Sequence, residues 1–400
     1  MKILSIDEAE KKAKQNTSII ITGVTGQDGS LMTDYLLANT SFMIFGGVRR
    51  LSVSNHKNIL HLSDNERFEC INFDLTDAHV IEKAISIIKP AYFINLAAQS
   101  FVKSSWDFPA QTWAVNSTGV LHILEAIHRH VPTCRVYNAG SSEEFGNVLY
   151  SPQDEFHSLR PRSPYGASKA AARHLIKVYR ESYKMYALQG WLFNHEGVRR
   201  GEEFVTRKIT KYVANFSKKL NKNNIESIKR IQPLELGYVK IKRDWSDAED
   251  CVDAIWRMLN QEKYNEQIKN LVSFSLSKYG TFSAELTEKL SMLIKEYVVS
   301  SGEDHTIDEF VQKAFKYIGI EGKWEGEGIN TKFIYESGSS AIQPGTVLVK
   351  INTDFYRPAE VENLCGDSSA IKRDLKWQPK TAFSQLIEKM VKNDLEFLKL

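Results

Sequence analysis

The stretch Ile19-Ile20-Ile21-Thr22-Gly23-Val24-Thr25-Gly26-Gln27-Asp28-Gly29 decides the fold. It opens on a short apolar, β-branched run, which is the composition of a buried strand. The run leads straight into Gly23, and residues 27–37 then have helical composition, so the reading is strand, tight turn, helix. Gly23, Gly26 and Gly29 follow a Gly-x-x-Gly-x-x-Gly spacing that lets a backbone come close. They stand where a dinucleotide pyrophosphate rests on helix N–H groups. The glycine pattern alone is loose; the strand before it and the helix after it give it weight.

Working outward, strand-like runs recur at 42–48, 68–73, 91–95, 135–138 and 187–193, with helical stretches such as 115–130 between them. That alternation predicts an α/β fold, a Rossmann doubly wound parallel sheet covered on both faces. The sheet is expected over residues 18–194, behind an N-terminal extension, 1–17, lying outside the nucleotide fold. Residues 195–400 are expected to form mainly a smaller mixed α/β substrate-binding lobe, with some segments returning to the sheet. Helices are expected near 247–259, 307–318 and 383–391, and Leu286, Leu290, Leu293 and Ile294 share one face of a packing helix.

Composition narrows the function. A chain of 400 residues with 42% hydrophobic content can bury a large core, and 52 basic against 49 acidic residues leave a charge of only +3. That balance argues against a nucleic-acid stripe or a membrane-binding face. Cys70, Cys134, Cys251 and Cys365 have no Cys-x-x-Cys spacing, so free thiols are expected rather than a zinc site or a disulfide framework. No apolar run approaches the roughly 18 residues of a membrane helix, and the charged start has no signal-peptide core. A cytoplasmic protein with no metal site is the expectation.

The second strand ends in Val48-Arg49-Arg50. An acidic residue there would bind the 2′-hydroxyl of NAD, whereas an arginine accommodates the 2′-phosphate of NADP, so Arg50 favours NADP. Gln27 and Asp28 belong to the same turn. Asp74 and Leu75, then Leu96, Ala97, Ala98 and Ser100, lie at later strand ends, where the ribose groups would meet the carboxyl edge of the sheet.

The chemistry is carried by Asn138-Ala139-Gly140-Ser141-Ser142-Glu143 and Ser163-Pro164-Tyr165-Gly166-Ala167-Ser168-Lys169. Tyr165 and Lys169 share a helix face, so the ammonium can lower the phenol pKa and make Tyr165 a base for a sugar hydroxyl. Ser141 can donate a hydrogen bond to that same hydroxyl. Glu143 is the decisive residue, because a carboxylate beside the reacting carbon can remove an acidified C–H proton and then protonate a departing hydroxyl. Its neighbour Glu144 reads as a surface residue. Asn194, His195 and Arg200 follow the sixth strand; Arg243 beside Trp245, and Arg357 beside Tyr356 with Glu360 nearby, suit a diphosphate and a ring.

Together, Thr22–Ser30, Ser163–Gly166, Phe193–Glu196, Phe204–Ile209, Lys242–Trp245 and Tyr356–Pro358 resemble the GDP-mannose 4,6-dehydratases, within the extended short-chain dehydrogenase/reductases. The likeness runs from about Ile19 to Val391. It implies Ser141 where the family usually has threonine, Glu143 as acid/base, and Tyr165 with Lys169. It assigns Arg50, His195 and Arg200 to NADP, Asn194, Arg243 and Arg357 to a GDP-sugar, and puts Trp113 where the family has a tyrosine near the cofactor. Lys208 in a matching block, Glu360 just beyond another, and Ser100 complete the expected substrate contacts. A homodimer or homotetramer is implied, the arginine loop after Asn194 reaching a neighbour's cofactor site. Extra residues around 221–233 and 262–294 depart from the family pattern. They leave hexose against heptose open.

The reaction expected is oxidation at C4, loss of water across C5 and C6, and return of the hydride to C6. Two rivals are weighed: a nucleotide-sugar epimerase, which has no use for Glu143, and a non-catalytic NADP- or RNA-binding relative, which has none for Ser141, Tyr165 and Lys169 together.

Overall fold

The computed structural model describes residues 1–50, 55–221, 232–279, 284–356, 361 and 363–398. Its strands are β1 (Ile3–Leu4), β2 (Ser18–Thr22), β3 (Met43–Val48), β4 (Phe68–Asn72), β5 (Tyr92–Asn95), β6 (Arg135–Ala139), β7 (Ala187–Leu192), β8 (Asn194–Glu196), β9 (Leu234–Leu236), β10 (Lys242–Asp247), β11 (Val298–Val299), β12 (Asp304–Thr306), β13 (Glu321–Glu325), β14 (Lys332–Ser337), β15 (Val347–Ile351) and β16 (Asn363–Leu364). Eight of them form one sheet, ordered β1-β4-β3-β2-β5-β6-β7-β11. Every pairing in it is parallel. Read from β2 to β7, this is the Rossmann order 3-2-1-4-5-6, whose ligand crevice opens where the chain reverses direction between β2 and β5.

The strands read as apolar runs because both of their faces are covered. Ile19, Ile20 and Ile21 are each fully buried, with Ile19 and Ile21 in the core on one side of the sheet and Ile20 in the core on the other. Burying each such side chain contributes roughly 1.5–3 kcal/mol. Helices Gln27–Asn39 and Ala248–Leu259 pack on the first side, while Ala78–Ile88, Gly119–His130 and Pro164–Ser182 cover the second.

Residues 1–17, expected outside the nucleotide fold, extend it. Ile3 and Leu4 pair with Cys70 and Ile71 at the edge of the sheet, and helix Ile6–Ala13 is closed by a capping box between Ser5 and Glu8. Ala9 of that helix is fully buried. The far edge is β11, contributed by the C-terminal half, which pairs with Trp191 and Leu192 of β7.

The remaining strands form two small sheets: β10 flanked by β12, β16 and β8, and β13-β14-β15-β9. Their core includes Trp245, Phe310, Phe333 and Phe383, with helices Ile307–Tyr317 and Phe383–Phe397 packed on them. The extra residues near 262–294 contribute helices Glu266–Tyr279 and Ala284–Leu293. Leu286, Leu290 and Ile294 join the core beneath the large sheet, as the apolar stripe predicts. Gln261 and Lys295 clamp the two ends of this excursion through hydrogen bonds of 2.7 and 3.0 Å. The other extra segment, 221–233, lies mostly outside the described residues. Cys70, Cys134 and Cys251 are buried free thiols, and no helix of the described residues is long and apolar enough to cross a membrane.

Candidate active site

A cleft of about 1520 Å³ opens along the carboxyl ends of the parallel strands. Its floor starts at the glycine turn. Gly23 has φ +70°, and a Cβ there would lie 2.7 Å from the Ala97 backbone nitrogen. A Cβ on Gly29 would sit 2.3 Å from the Gly23 carbonyl oxygen. Only glycine permits this close turn into helix Gln27–Asn39, and Gln27, Asp28 and Gly29 of its first turn line the cleft. Arg50, Asp74, Leu75, Leu96, Ala97, Ala98 and Ser100 line the cleft beside it. The cradle fits the pyrophosphate of a nicotinamide dinucleotide.

Asp28 and His195 close the turn from opposite sides. His195 Nε2 lies 2.8 Å from Asp28 Oδ2, and its Nδ1 lies 2.7 Å from the Phe193 carbonyl oxygen. Two acceptors call for two ring protons, the imidazolium form. Burial acts to lower the His195 pKa, but the Asp28 carboxylate outweighs it and the ring ends above its ordinary value. Asp28, pulled against its own burial by His195, sits at about 2.

Ser141 lies two residues past the end of β6 and caps the short turn Ser142–Glu144, its Oγ accepting from the Glu143 N–H at 3.2 Å. Its side chain is also hydrogen-bonded to Tyr165. Ser163 caps helix Pro164–Ser182 through the Gly166 N–H at 3.0 Å, so Tyr165 and Lys169 project from its first turns. Lys169 Nζ donates to the Ala139 carbonyl at 2.8 Å and lies 5.9 Å from the Tyr165 ring centroid. Ser141, Glu143, Tyr165 and Lys169 all line the same cleft.

Two expectations are corrected here. The Tyr165 phenol is pushed up, first by burial and then by Glu143 and Glu144, with Ser141 and Arg200 opposing; the lowering expected from Lys169 is not among these effects. Burial likewise brings Lys169 down to about 8. Glu144, read from the sequence as a surface neighbour, is fully buried and paired with Arg173. An acidic pair in a polar turn carries no sign of which member faces inward.

Asn194, Arg200, Lys208 and Arg243 also reach the cleft. Arg200 is held by Glu196 at 2.9 Å and lies over the Phe204 ring at 3.5 Å. Arg243 donates to the Val361 carbonyl at 2.8 Å. Lys208 Nζ stands 3.7 Å from the centroid of Phe355. Trp113 does not join them. It is 48% exposed and outside the cleft lining, while Gln111 and Val115, two residues to either side of it, line the cleft. Arg357 and Glu360 lie outside the described residues.

Sequence reasoning missed what holds these groups. Asp244, inside the block chosen for Arg243, is fully buried and accepts from Ser301, Gly302 and Gly366 N–H groups, tying β10 to its neighbours. Beneath the cleft a buried amide ladder links the strand ends. Asn95 Nδ2 donates to Asn138 Oδ1 and Asn138 Nδ2 to Gln189 Oε1, both at 2.6 Å. Polar residues inside otherwise apolar strands were the available signal.

A family model described as GDP-mannose 4,6 dehydratase matches residues 20–290 and 285–390. The chain belongs to the GDP-mannose 4,6-dehydratase family. It is 38% identical over 392 residues to the GDP-mannose 4,6 dehydratase of Drosophila melanogaster, covering 95% of this chain and 86% of that protein. It is 34% identical to that of Homo sapiens, covering 96% and 93%, and 34% identical to that of Vibrio cholerae, covering 94% and 93%. Among solved structures, a dTDP-glucose 4,6-dehydratase from Bacillus anthracis in complex with NAD aligns with TM-score 0.66 and 17% identity, covering 94% of this chain and 96% of that one. A UDP-glucose 4-epimerase from Thermotoga maritima aligns with TM-score 0.68 and 18% identity, covering 95% and 99%. Those two likenesses concern the fold; the dehydratase family membership rests on the sequence matches.

Proposed function

We propose that this chain dehydrates GDP-mannose to GDP-4-dehydro-6-deoxy-mannose using NADP. The observation that carries the reading is Glu143, set on the turn that Ser141 caps, in one cleft with Tyr165 and Lys169. An epimerase needs the serine, tyrosine and lysine but not this carboxylate.

In this reading Ser141 and Tyr165 hold the C4 hydroxyl, and Tyr165 accepts its proton with the Lys169 ammonium nearby. The bound nicotinamide supplies a reversible hydride acceptor. Glu143 removes the C5 proton made acidic by the new C4 carbonyl, then gives a proton to the departing C6 hydroxyl. Arg243, Lys208 and Asn194 are the groups available to the GDP moiety, and burial lowers the Lys208 pKa somewhat. The family match, described as GDP-mannose 4,6 dehydratase, supports a hexose over a heptose. Incubation with GDP-mannose, and separately with a GDP-manno-heptose, should give a mass-spectrometric product lighter by one water only from the former. No lighter product from GDP-mannose would defeat the reading.

Arg50 is exposed at the end of β3 and lines the cleft, which supports NADP over NAD. Arg50→Ala removes a charge-assisted hydrogen bond worth roughly 1.5–3 kcal/mol, so NADP affinity should fall about 10- to 100-fold while NAD affinity changes little. Isothermal titration with each dinucleotide measures it, and equal losses for both would remove the argument for NADP.

A further inference from the structure

Glu144 has no part in the reaction just described, yet it is the more deeply buried of the two adjacent acids. Its Oε1 accepts from the Ser141 backbone N–H at 2.8 Å and from Gln189 Nε2 at 3.0 Å. Its Oε2 accepts from Arg173 Nε at 2.5 Å. Arg173 lies one turn beyond Lys169 on the helix that carries Tyr165, and its Nη1 donates to the Gln189 carbonyl at 2.7 Å and to Glu296 at 2.9 Å. Glu296 in turn accepts from Arg180 Nη1 at 2.9 Å and from the Gln189 N–H at 2.9 Å. Gln189 Nε2 also donates to the Lys169 carbonyl at 3.0 Å.

One carboxylate therefore ties together the Ser141 turn, the Tyr165 and Lys169 helix, and β7. The fit leaves no slack: a Cβ on Gly140 would lie 2.8 Å from Glu144 Oε1 and 2.9 Å from Arg173 Nη2.

Stability does not account for such a cluster. Taking each ion out of water costs several kcal/mol, and apolar replacements of buried ion pairs are often neutral or stabilising. What a charge offers here is a field. Lys169 is buried and its Nζ donates to a neutral carbonyl. The charges acting on it are Glu144, from the turn after β6, and Asp28, from the glycine-turn helix, both favouring the ammonium. Both are themselves paired, Asp28 with His195 and Glu144 with Arg173. Tyr165 itself faces Glu143, Glu144 and Arg200.

We propose that Glu144, held by Arg173, is a positioning residue of this active site: it fixes the Ser141 turn against the helix that carries Tyr165 and Lys169. The inference rests on the reading of Ser141, Tyr165 and Lys169 given above. The test is the pH profile of kcat and KM for GDP-mannose in the wild type, Glu144→Gln, Glu144→Gln/Arg173→Met and Lys169→Met. Glu144→Gln keeps the acceptor and removes the charge, and the double variant avoids stranding a buried guanidinium.

The ammonium is present below the Lys169 pKa and lost above it. Removing the anion in Glu144→Gln should therefore move the alkaline limb of kcat to lower pH, whereas Glu144→Gln/Arg173→Met, which removes one charge of each sign, should leave the limb closer to the wild type. KM should stay near the wild-type value. A lower melting temperature with an unmoved limb in Glu144→Gln would overturn the proposal, as would failure of both Glu144 variants to give folded, dinucleotide-retaining protein, since the pair would then serve the fold alone. Lys169→Met turning over at the wild-type rate would instead bring down the underlying reading.

Discussion

Glu143→Gln should lower the rate of water loss from GDP-mannose by about 10²–10⁴-fold, the usual contribution of one positioned acid/base. Glutamine keeps the size and can still accept a hydrogen bond, so the turn Ser142–Glu144 and its cap on Ser141 should persist. What it cannot do is take the C5 proton. The account therefore predicts a stalled enzyme rather than an inert one. Quenching the variant with borodeuteride during turnover should place deuterium at C4 of recovered sugar, because oxidation at that carbon needs only Ser141, Tyr165 and the cofactor. In deuterated water the substrate should show no exchange at C5. Exchange at the wild-type rate would take the role away from Glu143.

Tyr165→Phe should fail one step earlier. The phenol is buried and hydrogen-bonded to Ser141. Its removal should cost about 10²–10⁴-fold in turnover and leave borodeuteride nothing to trap at C4. Dinucleotide binding should survive, because the glycine turn, Asp28 and His195 are untouched. The contrast between the two variants orders the steps: one blocks before the ketone and the other after it. A trapped C4 label in Tyr165→Phe equal to that in Glu143→Gln would show that another group takes the hydroxyl proton.

The sequence was most readable where burial is two-sided. β2 through β7 stand out because both faces of each strand are covered, leaving little polar interruption for the eye to misread. The edges were hidden for the opposite reason. Ile3–Leu4 and Val298–Val299 are too short to carry a period, and they pair only because neighbours on an existing sheet offer free backbone groups.

At the site, the residues that touch ligand space were legible and their supports were not. Tyr165 and Lys169 announce themselves by spacing on one helix, whereas Glu144 becomes meaningful only once Arg173, Gln189 and Glu296 arrive from distant parts of the chain. Trp113 was placed only by the family resemblance, and it stands exposed outside the cleft lining. The expected effect of Lys169 on the phenol was also incomplete, since spacing gives the sign of a charge effect but not the cost of burying the group it acts on.

The measurement that goes most directly to the central claim is the fate of the hydrogen at C4. GDP-mannose carrying deuterium at C4, incubated with the wild-type enzyme and analysed by mass spectrometry and NMR, should give a product lighter by one water with the deuterium at C6. Deuterium lost from the sugar, or a water-depleted product whose C6 carries only protium, would contradict a reaction in which one carbon of the sugar reduces another inside this cleft.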